Sequence, residues 1–89
     1  MWHRARERVL IGRDAERLAR IILGYLRAHP AASDSLRGIR DWWLRGIEPV
    51  PGDGELHEAL EQLVRADLVC RIENPDGTVL WTAGPGLGR

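Results

Sequence analysis

Apolar residues recur at helical spacing in three stretches of this chain and alternate in two others. Leu18, Ile21, Ile22, Tyr25 and Leu26 predict a helix over residues 14–29, with Arg13, Arg17, Arg20 and Arg27 largely off the stripe. Asp14 suits its N-cap, and His29-Pro30 ends it because proline cannot continue the hydrogen-bond ladder. Gly24 inside that run costs about 1 kcal/mol against Ala, which points to a close packing contact. A second, shorter helix starts at Asp34 or Ser35, with Ser33 and Asp34 as candidate caps, and runs to about residue 44. Leu36, Ile39 and Trp43 share one of its faces, so Trp43 is assigned to the core and Trp42, its neighbour, points elsewhere. The run RGIEPVPGDG, residues 45–54, is a loop by its two prolines and three glycines.

A third helix begins near Asp53 or Gly54 and reaches about residue 66, with Leu56, Ala59, Leu60, Leu63 and Val64 as its inward stripe. Residues 68–73 and 78–82 then read as two strands. Asn74-Pro75-Asp76-Gly77 joins them as a hairpin, proline presetting the turn and glycine supplying positive φ. Cys70 is placed on the core side of the first strand, and Trp81 with Val79 covers the sheet face. Residues 1–13 fit no period well and read as a basic arm or strand, broken at Gly12. Residues 84–89 are expected to be a disordered tail.

Composition narrows the function classes more than it names one. A single domain of this size buries roughly 60–65% of its unfolded surface. Cys70 is the only cysteine, so no internal disulfide is available and a structural zinc site is not expected. The N-terminal apolar run, Val9-Leu10-Ile11, is too short for a signal sequence, and no stretch has the length of a membrane span; a cytoplasmic protein is expected. Net charge is zero, yet residues 1–28 hold seven arginines against three acids, while residues 48–76 hold eight acids against two arginines. All thirteen basic residues are arginine. His3, His29 and His57 lack any paired ligand spacing, and GPGLG has no strand or helix to anchor a phosphate loop. No enzyme, cofactor, metal or small-molecule substrate is therefore expected.

The order helix, helix, helix, hairpin over residues 14–83 resembles the winged helix-turn-helix superfamily. The part that carries the resemblance is LHEALEQLVRADLVCRIENPDGTVLW, residues 56–81, which is similar to the family pattern Leu-x-x-Ala-Leu-x-x-Leu-x-x-x-Gly-Leu-Val followed by a turn and a second strand. Asp67 stands where the family commonly has the glycine that ends the helix in left-handed geometry, a conformation Asp tolerates better than most residues. The resemblance implies a mainly α fold with a two-stranded wing. It also implies a third helix that enters a DNA groove.

The outward positions of that helix argue against DNA. They are Glu55, Glu58, Glu61, Gln62 and Arg65, and three carboxylates would meet a phosphate charge about every 1.7 Å of duplex axis. The hairpin tip carries Glu73 and Asp76, with Arg71 the only cation nearby. The favoured expectation is therefore a non-enzymatic protein-interaction module. Its docking surfaces would be the acidic third helix (Glu55, Glu58, Glu61) and the arginine-rich N-terminal region, anchored by Trp42 or Trp2. A protein partner or self-association is favoured. The alternative is a DNA-binding regulator that uses Arg4, Arg6 and Arg8 with Gln62 and Arg65.

Overall fold

The computed structural model describes residues 2–88, with side chains described from Asp14 onward. Its first element, α1, spans Trp2–Ala28 and corrects the reading of the N-terminus. Residues 2–13 form neither an arm nor a strand, and Gly12 does not break the chain. One glycine raises the cost of a helix by only about 1 kcal/mol and does not end it without a cap or proline. Asp14 accordingly lies inside α1 rather than capping it. From there the periodicity holds: Ala15, Leu18, Ala19, Ile22 and Leu26 are buried, and Ile21 and Tyr25 pack against the core from its margin. Gly24 departs from expectation. It is exposed, and a Cβ there would meet nothing within 4 Å, so it marks no close contact.

After Pro30 the chain forms β1, Ser33–Asp34, a strand the sequence did not predict. Ser35 then caps α2, Leu36–Gly38, its hydroxyl accepting from the Gly38 N–H at 3.1 Å. Neither Ser33 nor Asp34 holds the cap position. The helix continues as a π-helical turn, Ile39–Trp43, closed by the Leu44 N–H on the Ile39 carbonyl at 3.0 Å. Ile39, Trp43 and Leu44 are buried there, and the Trp43 ring stacks on Tyr25 at 4.8 Å between centroids. Helix α3, Asp53–Arg65, buries Leu56, Ala59, Leu60 and Leu63 against α1 and the sheet. Asp67 follows in left-handed geometry, φ 62°, as the expected helix stop.

Strands β2, Val69–Glu73, and β3, Val79–Ala83, pair antiparallel, and β3 also pairs with β1. The fold is thus mixed, helices with a three-stranded antiparallel sheet in the order β1-β3-β2, rather than helices with a two-stranded hairpin alone. Val69 and Trp81 are buried on the face turned to the helices. Cys70 does not share that face. It lies opposite Thr82 on the outer face with Ile72 and Leu80, and it is only half-buried.

The tail is ordered where described. Pro85–Gly88 forms a 3-10 turn, tied back by the Gly84 N–H on the Leu68 carbonyl (3.0 Å) and the Gly86 N–H on the Asp67 carbonyl (2.7 Å). Leu87 packs against the core. The glycines are what permit this. A Cβ on Gly84 would lie 2.5 Å from the Asp67 oxygen, and one on Gly86 would lie 2.8 Å from the same atom.

Candidate docking surface

The acidic edge of α3 is set by the apolar stripe on its other side. With Leu56, Ala59, Leu60 and Leu63 inward, helical geometry turns Glu55, Glu58 and Arg65 to solvent, and all three are exposed. Glu61 and Gln62 sit at the margin, half-buried. Glu61 approaches His57 one turn earlier, at 3.6 Å, and the His57 ring meets the edge of Trp81 at 5.7 Å. Two of the helix's acids also have a local reason. Asp53 and Glu55 occupy the first turn, where the positive end of the helix dipole favours negative charge. Asp53 is further engaged by the Arg40 guanidinium, which ties the π-helical turn to the start of α3. Among the described residues, neither Glu55 nor Glu58 takes part in an ion pair.

Glu55 borders a shallow cleft between α1, the loop after the π-helical turn, and α3. Arg17, Ile47, Val50 and Pro51 line it as well. Val50 is 65% exposed, so an apolar rim lies beside the acid. Val50 carries only a faint signal in the sequence, as one valine between two prolines.

Trp42 is exposed at 63%, as the sequence suggests for the neighbour of a buried Trp43. The Arg45 guanidinium stands 5.8 Å from its ring centre, a cation–π geometry that leaves most of the indole open to solvent. No described hydrogen bond, ion pair or aromatic contact joins Trp42 to Glu55, Glu58 or Glu61. The side chains of Trp2, Arg4, Arg6 and Arg8 lie outside the described residues.

The hairpin is built to turn. Asp76 accepts from the Thr78 hydroxyl at 2.7 Å and from the Thr78 N–H at 3.0 Å, while the Asn74 amide donates to the Thr78 hydroxyl at 3.0 Å. The two bonds from Thr78, that of its hydroxyl first, hold the Asp76 carboxyl below its ordinary value. Arg71 lies over the Trp81 ring at 5.9 Å and meets Glu73 at 3.2 Å, so the hairpin's cation is already engaged within the domain.

Among the described residues no cluster of three or more His, Cys, Asp or Glu has the arrangement of a metal site. No described helix is long and apolar enough to cross a membrane. Compared with protein-family models, curated proteins and solved structures, the chain matches none.

Proposed function

We propose that this chain is a winged-helix domain that docks proteins rather than an enzyme or a DNA reader. The single observation that carries the reading is the exposure of Glu55 and Glu58 on α3, with no ion pair among the described residues. A helix entering a DNA groove needs Arg, Lys, Asn or Gln at those positions, and a carboxylate there is repelled by the phosphates. The wing offers no compensation, because Arg71 is held between Trp81 and Glu73 and Asp76 is bonded into its own turn. The order of three helices and a hairpin, with Asp67 in left-handed geometry between α3 and β2, supports the winged-helix assignment.

The partner that suits the acidic edge presents basic side chains around an apolar centre, which Val50 beside Glu55 would meet. The arginine-rich N-terminal region is a second docking surface in this reading, and Trp42 or Trp2 is the aromatic anchor at the apolar centre of a contact. The test is fluorescence anisotropy with two labelled probes, a mixed-sequence DNA duplex and an amphipathic peptide with an arginine face and a leucine face. Titration at about 50 and about 150 mM salt separates charge attraction from specific contact. Peptide binding that survives the higher salt and is lost in Glu55→Lys/Glu58→Lys is the expected result. Duplex binding that survives it overturns the proposal in favour of DNA contact through the N-terminal arginines, Gln62 and Arg65.

A further inference from the structure

The sheet has an open edge with a directional code. Strand β2 has β3 on one side and no strand on the other among the described residues. Asn74 donates to the Thr78 carbonyl and Gly84 to the Leu68 carbonyl, which fixes the parity of the ladder. Residues 68, 70, 72 and 74 turn their main-chain groups to β3, so those of Val69, Arg71 and Glu73 face the open edge. The 3-10 tail crosses at Asp67, before the start of the strand and at the end away from Glu73. Ile72, between those two, is 42% exposed on the outer face beside Leu80. Charged side chains on an edge strand usually discourage pairing, and Arg71 and Glu73 on either side of an exposed isoleucine do so toward any strand whose charges do not answer theirs.

We infer that β2 pairs antiparallel with β2 of a second copy of this chain, on a two-fold axis through Ile72. Arg71 and Glu73 meet within each chain at 3.2 Å, and in this register Arg71 also faces the partner's Glu73 and Glu73 the partner's Arg71, so the two pairs close into one four-charge cluster. Both are main-chain hydrogen-bonded pairs, and both are opposite in charge. Ile72 meets its own symmetry mate as the non-hydrogen-bonded pair, so Leu80, Ile72 and their two mates form one apolar row across a six-stranded sheet. Parity allows an axis through any other residue of the strand as well. An axis through Arg71 or Glu73 sets like charges face to face, and an axis through Cys70 or Val69 moves the partner strand toward the tail that crosses at Asp67. Charge complementarity selects the Ile72 axis. The surface is separate from the acidic edge of α3, so the inference stands or falls independently of the docking proposal.

The charge code makes the test self-checking. Arg71→Glu gives a strand with two acids and Glu73→Arg a strand with two guanidiniums, so each variant repels its own copy and complements the other. Sedimentation velocity should show wild type associating with concentration, each variant weakened at least about tenfold, and their equimolar mixture restored to a dimer, while circular dichroism shows each variant folded. A second measurement fixes the register. In the Cys70→Ser background, Ile72→Cys should oxidise to a covalent dimer, because non-hydrogen-bonded pairs hold Cα atoms about 4.5 Å apart, within disulfide reach. A wild-type chain that stays monomeric to about 1 mM, reversals that leave association unchanged, or a covalent dimer formed through Cys70 instead, each overturns the inference.

Discussion

The same substitution at two glycines should move stability in opposite directions. At Gly24 the Cβ position is empty to 4 Å and the residue is exposed within α1, so Gly24→Ala gains the helix propensity difference of about 0.8–1.0 kcal/mol with no steric offset. At Gly84 the added Cβ would lie 2.5 Å from the Asp67 oxygen, 2.8 Å from the Val69 nitrogen and 2.9 Å from the Leu68 carbonyl carbon. All three are backbone atoms of the turn after α3 and the first residue of β2, which cannot swing aside as a side chain can. Relief requires the tail to lift, which strains or breaks the bonds from Gly84 to Leu68 and from Gly86 to Asp67. Overpacking of this kind costs about 1–3 kcal/mol, and each compromised hydrogen bond about 1 kcal/mol more. Gly84→Ala should therefore lose about 2–5 kcal/mol, a large share of the roughly 4–13 kcal/mol that a chain of this length has in total. Urea unfolding followed by circular dichroism reads both, with the midpoint rising for Gly24→Ala, falling for Gly84→Ala, and the slope unchanged. A Gly84→Ala midpoint within about 0.5 kcal/mol of wild type would show that the tail does not close on Asp67, and the packing argument would fail.

Trp43→Ala should cost about 3–5 kcal/mol in the same assay, because it empties a buried site and removes the ring stacked on Tyr25, whereas Trp42→Ala should stay within about 0.5 kcal/mol. Asp67→Val should lose about 2 kcal/mol from forcing a β-branched residue to φ 62°, and Asp67→Gly should lose nothing; equal losses would remove the left-handed helix stop as the cause. The Asp76 carboxyl, held below its ordinary 3.8 by Thr78, contributes stability that is fully present above that value and lost as pH falls through its lower folded value. An NMR titration should place its midpoint below 3.8, and Thr78→Val should bring it back up; a midpoint unmoved by that variant would exclude the hydroxyl as the main cause.

How much was legible in the sequence depends on where each element's stabilisation comes from. Leu18, Ile22 and Leu26, and again Leu56, Ala59, Leu60 and Leu63, carry their own helical period, and Asn74-Pro75-Asp76-Gly77 carries its own turn chemistry. Strand β1 carries nothing of the kind. Ser33 and Asp34 are extended because Thr82 and Trp81 lie opposite them, and Ala32 is held there by the Thr82 hydroxyl at 3.0 Å. The π-helical turn is hidden for a different reason, since the spacing of Ile39 and Trp43 fits an α-helix equally well. Alternation in residues 69–73 defines two faces without saying which is inward, and Cys70, core-like by type, lies on the outer one. In the tail, Gly84 and Gly86 look like markers of disorder but are small because backbone passes over backbone there.

The acidic residues of α3 were readable one by one, and their exposure follows from the stripe behind them. Their surroundings were not readable. The cleft that puts Val50 near Glu55, the Arg40–Asp53 pair, and the engagement of Arg71 by Trp81 all join residues far apart in the chain. The open edge of β2 was equally invisible, because a strand's free side depends on the order β1-β3-β2 and not on its own residues.

That strand order also sets a schedule for biosynthesis. The central strand, β3, is the last of the three in sequence, so neither β1 nor β2 has a neighbour until residue 83 has left the ribosome. Trp81, which closes the core against α3, arrives on the same segment. A nascent chain carrying only the helices would hold Leu56, Leu60 and Leu63 without the sheet that covers them, at synthesis rates of about 5–20 residues per second. Folding of this domain is therefore a near-simultaneous event that follows the emergence of β3, with the apolar faces of its helices left waiting on that strand.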